Sequence, residues 1–343
     1  MASLLRSFSN AARSVSHGTS LSSFRLSCLR RSPHHLIRSS ARTFSSCGGM
    51  PLHHDWIHPQ HADNDATQYQ HVILFLHGLL GNGRNLRTMA RKVCEKSNQH
   101  GLLLDVRGHG GSKVLPKGVA PTGFAACVQD LQQTLQTIPQ ISNDTNVTLV
   151  GHSLGGRISL QYAFDAVVSQ PVQKNKIHRV WLLDTVPGEA NESVERVVRA
   201  VTDITTKSAI TDRTVLVEQL TSPTYKIDKG TAQWLASTLQ KSKTDAGSLE
   251  FGFDLTVIHD LLADFHSQDF LSMLQQIAAT QQVRVDLVRG AKNKGWSSAT
   301  LQPLEALEQH YPSHFQMHNL PNAGHWVHVD DLPGLLDVMD VSP

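Results

Sequence analysis

Short runs of apolar residues alternate with helical patterns from residue 71 to the end of the chain. The runs are nearly continuous in apolar character, which is typical of parallel strands covered on both faces. Because the stretches between them carry apolar residues at helical spacing, the pattern predicts βαβ units around a mostly parallel α/β sheet. The predicted strands cover residues 71–77, 101–106, 146–151, 179–184, 283–289 and 315–320. The predicted helices cover residues 85–98, 122–137, 154–169 and 332–340.

About a hundred residues without a strand-like run separate the fourth predicted strand from the fifth. This is far more than a crossover connection needs, and helical periodicities recur within it. The pattern therefore predicts an inserted helical cap at about 188–278 within a catalytic domain that spans 71–343. Residues 45–70 are expected to form a linker.

The first 44 residues have the composition of an organellar transit peptide. They contain seven arginines and no Asp or Glu, and serines are frequent. Their apolar residues are scattered, so no continuous apolar segment indicates secretion. The sequence Arg42-Thr43-Phe44-Ser45 resembles a mitochondrial cleavage pattern, which predicts import into the mitochondrial matrix and a mature chain that begins at Ser45. A plastid is the alternative destination.

Charge and hydropathy restrict the partners of the mature chain. Of the 31 Lys and Arg residues, seven lie in residues 1–44, so 24 remain against 29 Asp and Glu, a net charge of −5. A mildly acidic chain argues against nucleic-acid binding. No run of apolar residues is long enough to form a transmembrane helix, so peripheral contact through the cap is the membrane interaction that the sequence allows.

Cysteines and histidines give no sign of a metal site. The four cysteines form no CxxC pair, which disfavours a structural zinc site and a disulfide framework. A group of histidines precedes the first predicted strand, between prolines, and is expected to be a solvated part of the linker: His53, His54, His58 and His61.

The strongest chemical signal is the sequence Gly151-His152-Ser153-Leu154-Gly155, which lies directly between a predicted strand and a predicted helix. In a G-x-S-x-G nucleophile elbow, the serine occupies a strained turn that exposes its hydroxyl oxygen. The pattern predicts Ser153 as the nucleophile. It also places the backbone N–H of Leu154 at a helix N-terminus, where it can stabilise an oxyanion.

The other members of the site follow from strand ends. The loop that begins His77-Gly78-Leu79 is expected to supply the second oxyanion donor, the N–H of Leu79. His325 follows the last predicted strand and is the candidate general base. The carboxylate that orients it is predicted to be Asp184, at the end of the strand after the nucleophile, with Asp254 of the cap as the alternative.

Five motifs in this order resemble the α/β-hydrolase superfamily, and within it the mitochondrial branch of alpha/beta hydrolase domain-containing protein 11 and its small bacterial esterase relatives: HGLLGN, DVRGHGGS, GHSLGG, LLDTVPG and PNAGHWVH. The resemblance covers about residues 70–340. It implies an α/β-hydrolase fold, no cofactor, and hydrolysis of acyl esters, including diacylglycerol-like lipids. The chain departs from these relatives at Arg289–Lys294, which is basic where they often have Gly-Gly-Asn-Ser.

The leading hypothesis is therefore a serine esterase or lipase that acts on a small-molecule acyl ester or lipid through a Ser-His-Asp triad without a metal. Thioesterase and carbon–carbon bond hydrolase chemistry can use the same triad and stay open. A different class of function is a mitochondrial binding or protective partner in which catalysis is secondary.

Overall fold

The computed structural model of the chain describes residues 49–63, 66–116, 118–119, 123–169, 176–188 and 192–339. The predicted leader, residues 1–44, and the start of the predicted linker, residues 45–48, lie outside the described residues.

Seven strands form the main sheet and two form a small hairpin within the described ranges. The strands are β1 (His54–Ile57), β2 (His71–Leu76), β3 (His100–Leu104), β4 (Asn146–His152), β5 (Lys176–Leu183), β6 (Leu239–Lys241), β7 (Leu249–Phe251), β8 (Arg284–Gly290) and β9 (Phe315–Leu320). The main sheet has the order β1-β3-β2-β4-β5-β8-β9. All of its pairs are parallel except the edge pair of β1 and β3. The carboxyl ends of six strands therefore meet at one edge of the sheet.

Helices cover both faces of this sheet. They are α1 (Arg87–Ser97), α2 (Phe124–Thr137), α3 (Leu154–Phe164), α4 (Glu192–Lys207), α5 (Arg213–Thr221), α6 (Lys229–Ser237), α7 (Leu255–Phe265), α8 (Phe270–Thr280), α9 (Ser298–His310), α10 (Val327–Asp330) and α11 (Leu332–Val338). Alternate side chains of each strand enter different apolar layers: Leu74 packs with α2 and α3, whereas Phe75 packs with α1. The predicted α/β class is confirmed. It could be predicted because strands that are buried on both faces have nearly continuous apolar sequences. No helix in the described ranges is both long and apolar enough to cross a membrane.

The segment expected to be a linker contributes a strand. β1 pairs with β3, and the chain before it is tied to α2 because Asp130 and Thr134 accept the N–H groups of Met50 and Leu52 at 2.7 and 2.8 Å. The expectation of a linker is thus wrong for residues 54–57. Only the last two of the four residues of this edge strand, Trp56 and Ile57, are apolar, so the strand gives no continuous apolar run.

Three of the four histidines of this segment, His53, His58 and His61, are exposed as expected, but two of them also contact the folded domain. His53 Nδ1 lies 3.0 Å from Asp105 Oδ2, and His58 Nδ1 lies 3.0 Å from His100 Nδ1. In the described part of the chain, no group of three or more His, Cys, Asp or Glu residues is arranged to hold a metal ion.

The long insertion between β5 and β8 contains the hairpin β6–β7 and five helices, α4 to α8. Helices α4, α5 and α6 form an apolar core of their own with the hairpin and the start of α7. Helix α8, by contrast, packs into the core of the main sheet through Phe270, Leu274 and Ile277. We use "cap" below for residues 192–262, which carry the separate apolar core.

Candidate active site

Ser153 lies in the sharp turn that joins β4 to α3. Its backbone has φ 51° and ψ −111°, a left-handed conformation that is strained for a residue with a side chain. A Cβ atom on Gly151 would collide with the carbonyl of Gly155, and one on Gly155 would collide with the carbonyl of Leu76. The two glycines are therefore required for the turn to close, and the strained residue is the one with the hydroxyl group.

His325 lies in the loop after β9 and contacts the predicted carboxylate. Its Nδ1 donates to Asp184 Oδ2 at 2.7 Å, because a carboxylate can only accept. Asp184 follows β5 in a left-handed conformation, φ 45°, and its side chain is fully buried, whereas 40% of the His325 side chain is exposed. The imidazole thus has one nitrogen fixed by a buried carboxylate and the other free to act as a base.

Both oxygens of Asp184 are held by the loop after β8. Oδ1 accepts from the N–H of Gly290 at 2.9 Å and from Trp296 Nε1 at 2.8 Å, while Oδ2 accepts from Asn293 Nδ2 as well as from His325. This is the basic loop in which the sequence of the chain differs from that of the relatives it resembles. Sequence reasoning identified this loop as basic, but missed that it supplies three hydrogen-bond donors to Asp184, which follows the neighbouring strand β5.

Asp254 is placed elsewhere. Its side chain caps the N-terminus of α7 and accepts from Thr256 N at 2.8 Å and Val257 N at 3.4 Å. Its own N–H donates to the carbonyl of Gly108 at 2.7 Å. The structure therefore brings Asp184, and not Asp254, to His325.

His152, the residue before Ser153, connects Ser153 to the loop that contains His325. His152 Nε2 donates to the carbonyl of His325 at 2.9 Å, and the two rings lie 4.8 Å apart. Among the described residues, the side-chain bonds at His325 involve Asp184 only, and no hydrogen bond joins it to Ser153 Oγ. His152 therefore fixes the backbone of His325 close to Ser153.

A third histidine lies behind this pair. His328 is buried, with its ring edge-on to that of His152 and the ring centroids 4.7 Å apart. Burial lowers the pKa of His328 to about 4 and lowers the pKa of His152 well below its usual range. Both rings are buried and neutral at pH 7. Of the three imidazoles, that of His325 is the exposed one.

The two predicted oxyanion donors flank Ser153. Leu154 is the first residue of α3, where N–H groups have no partner within the helix. A Cβ atom on Gly78 would lie 2.8 Å from His152 Nδ1 and 3.5 Å from Ser153 Cβ, so the loop that contains Leu79 passes against the nucleophile. Both predicted donors thus belong to segments that lie next to Ser153.

Two buried histidines fix the peptide groups on both sides of Leu79. Val106 N donates to His77 Nε2 at 3.0 Å, so His77 Nδ1 carries the proton and donates to the carbonyl of Gly78 at 2.8 Å. In the same way, Leu80 N donates to His109 Nε2 at 3.1 Å. The opposite nitrogen, His109 Nδ1, donates to the carbonyl of Arg107 at 2.9 Å.

This bracing requires neutral rings, since each uses one nitrogen as an acceptor. Burial lowers the pKa of His77, and it is also the main cause that lowers the pKa of His109 to about 3. Sequence reasoning missed both residues, although each is part of a glycine-containing loop that follows a strand.

A family model and a curated relative both indicate similarity to α/β-hydrolases. The alpha/beta hydrolase fold family model matches residues 71–214. The chain is 28% identical over 304 residues to the mouse (Mus musculus) sn-1-specific diacylglycerol lipase ABHD11. This alignment covers 88% of each of the two chains.

Two solved structures have the same fold. E-2-(acetamidomethylene)succinate hydrolase superposes with a TM-score of 0.58 at 19% identity, covering 79% of this chain and 90% of its own. A structure from a study of carboxylesterases of Nitrososphaera gargenis superposes with a TM-score of 0.57 at 16% identity, covering 84% and 92%.

Proposed function

The chain belongs to the α/β-hydrolase superfamily, and from that membership we propose that it is a serine hydrolase that cleaves carboxylic esters. The observation that carries the proposal is the 2.7 Å contact between His325 and the buried Asp184, beside a strained turn that carries Ser153. A hydroxyl group becomes a nucleophile when an oriented base removes its proton, and these residues are of the types needed for that chemistry.

The proposed reaction has two steps. His325 Nε2 takes the proton of Ser153 Oγ as the oxygen attacks the acyl carbonyl, and the N–H groups of Leu79 and Leu154 hold the oxyanion. The histidine then gives its proton to the leaving alcohol, which departs and leaves an ester on Ser153. Water, activated by the same histidine, attacks that ester and releases the acid.

The substrate class that we propose is an acyl or lipid ester. The name of the mouse relative, a diacylglycerol lipase, supports this class. Apolar side chains between the sheet edge and the cap also support it, since Leu79 packs against the cores of both. Peripheral contact of the cap with a membrane surface is part of the same proposal.

Labelling with a fluorophosphonate tests the enzymatic proposal without knowledge of the substrate. We expect the folded full-length chain to be labelled and Ser153→Ala to be unlabelled, because the probe reacts only with an activated serine. Absence of labelling in folded wild-type protein would favour the binding-partner alternative. If labelling succeeds, rates on matched ester, thioester and diketone substrates separate the ester hydrolase from the two related chemistries.

We also propose that residues 1–44 direct import into the mitochondrial matrix and are removed before Ser45. Their high arginine and serine content and lack of acidic residues support this. N-terminal sequencing of the protein recovered from isolated mitochondria after import tests the site, and import into plastids instead would contradict the destination.

A further inference from the structure

Arg157 is a buried cation one helical turn beyond the nucleophile. Its N–H donates to the carbonyl of Ser153 at 3.2 Å, the first hydrogen bond of α3, and the residue is 4% exposed. Residues four apart lie on the same face of a helix, with about 5–6 Å between their Cβ atoms. Helical side chains also lean toward the N-terminus, so the side chain of Arg157 extends over the turn that carries Ser153.

The contacts of the guanidinium place it between the catalytic edge and the insertion. Its NH2 group donates to the carbonyls of Val186 and Gly188, in the loop that follows Asp184, the latter at 3.0 Å. The planar group also stacks on two aromatic rings at the end of the insertion, 3.6 Å from the centroid of Phe265 and 4.5 Å from that of Phe270. Arg157 thus forms part of the wall behind the nucleophile.

Among the residues that the structure describes, no carboxylate balances the charge of Arg157. Its NH1 group is buried and has no hydrogen-bond partner, and no carboxylate of the described residues lies within salt-bridge distance. Burial alone accounts for the lowering of the pKa of Arg157 to about 9, which leaves the group charged at pH 7. Buried cations are normally paired, because a buried charge without a partner is strongly destabilising.

Arg107, which lies in the loop after β3 at the same edge, provides a comparison. It is equally buried, and its guanidinium makes a bidentate contact with Asp130, with both distances at 2.6 Å. For Arg107, the chain itself supplies the carboxylate that pairs with the buried guanidinium. The group with the free NH1 is the one that lies next to the nucleophile.

We propose that Arg157 is an anion subsite of the active site, and that it selects acyl substrates whose acyl group carries a terminal carboxylate. This proposal rests on the proposed serine hydrolase function and specifies its substrate class. The two N–H groups of NH1 have no acceptor and can donate to a carboxylate, a charge-assisted contact. Since one turn of helix separates it from the serine, the subsite fits a short dicarboxylic acyl group.

A pair of esters that differ only at the far end of the acyl chain tests the subsite. Monoethyl glutarate ends in a carboxylate where ethyl pentanoate ends in a methyl group, and proton release in a pH-stat reports the hydrolysis of both. We expect the full-length wild-type chain to have a higher kcat/KM for monoethyl glutarate. In Arg157→Met, the ratio of the two values is expected to fall about 10- to 100-fold, since a charge-assisted contact is lost.

Two variants control for the loss of a positive charge. Arg157→Lys keeps the charge and is expected to retain part of the preference. Arg199→Met removes an exposed arginine from the cap and is expected to leave the ratio unchanged. Equal losses on both esters in Arg157→Met, or a wild-type preference for ethyl pentanoate, would overturn the subsite.

Binding can be measured without turnover. In the Ser153→Ala protein, we expect monoethyl glutarate to raise Tm, and we expect Arg157→Met in the same background to abolish the shift. Glu189, which follows Gly188 in the sequence and lies outside the described residues, is the nearest carboxylate along the chain. If Glu189→Gln changed the ratio of the two esters as Arg157→Met does, the chain itself would supply the anion and the proposal would be wrong.

The failure of this proposal is distinguishable from that of the proposed function. A folded wild-type chain that is not labelled by fluorophosphonate contradicts the serine hydrolase. A chain that is labelled at Ser153 but shows no preference for the carboxylate, in hydrolysis or in Tm, contradicts only the subsite.

Discussion

The carboxyl edge of the sheet and the cap are held together by different forces. At the edge, directional hydrogen bonds between distant segments fix each polar group, and Asp184 alone joins β5, the loop after β8 and His325. The cap has an apolar core formed by α4 to α7. Hydrogen bonds specify position, whereas apolar packing tolerates substitution as long as volume is conserved. We therefore expect changes at the edge to affect the chemical step and changes in the cap to affect the choice of substrate.

The largest difference between the two regions should come from their two candidate carboxylates. Asp184→Asn is expected to lower kcat about 10⁴-fold, because an amide cannot hold the imidazole in the reactive tautomer. Asp254→Asn keeps a side chain that can cap α7, so kcat is expected to stay within about threefold. Steady-state rates on one ester, with circular dichroism to verify folding, measure both. A large loss in Asp254→Asn and none in Asp184→Asn would assign the acid to the cap.

The bracing of the oxyanion loop should give the next largest effect. His109→Leu leaves the N–H of Leu80 without an acceptor, and the displaced loop is expected to lower kcat about 10- to 100-fold with little change in KM. His109→Gln offers an acceptor and a donor at similar positions and should recover much of the loss. A fall in Tm without a change in kcat would show that His109 contributes to folding alone.

Acid should destabilise the edge before the cap. His328 is held neutral with a pKa of about 4, against 6.5 when it is exposed in the unfolded chain. Between these values the unfolded state binds the additional proton, so stability is complete above pH 6.5 and is lost as the pH falls toward 4. The slope is up to about 1.4 kcal/mol per pH unit for each such group.

The variant that tests this dependence is His328→Phe, which keeps a ring against His152 and removes a titrating group. Its Tm is expected to fall less between pH 6.5 and 4 than that of the wild type. As a control, His266→Phe changes an exposed histidine in the connection between α7 and α8. This variant should leave the dependence of Tm on pH unchanged. Equal slopes in wild type and His328→Phe would contradict the assignment.

The sheet could be predicted from the sequence because its signals are local. Strands such as 71–76 are buried on both faces and are rich in apolar residues, and Ser153 and Asp184 each directly follow such a strand. β1 could not be predicted in this way, since an edge strand shows no such run and its position depends on β3, which follows it by more than forty residues.

The site was predictable only as far as motifs extend. Ser153 was indicated by two glycines within the same turn, whereas the choice between Asp184 and Asp254 depends on which strand ends are neighbours in space. The bonds of Asn293 and Trp296 to Asp184 span more than a hundred positions in the sequence and have no local pattern. The same applies to Arg157, whose free NH1 follows from the contacts around it and not from the residue type.

The smallest expected effect lies where the two regions touch. Trp326, which follows His325, contacts Trp234 of the cap, and the centroids of the two rings lie 5.9 Å apart. Trp234→Ala removes this contact, which is worth about 0.5–1.5 kcal/mol beyond area burial, and should lower kcat/KM for long acyl esters about three- to tenfold. Labelling of Ser153 by a small fluorophosphonate should change less than twofold, because the edge retains its hydrogen bonds. The exposed cap residue Val215, changed to Ala, serves as control. If labelling fell as much as ester hydrolysis, the cap would take part in positioning the nucleophile, and the separation of chemistry from substrate choice would not hold.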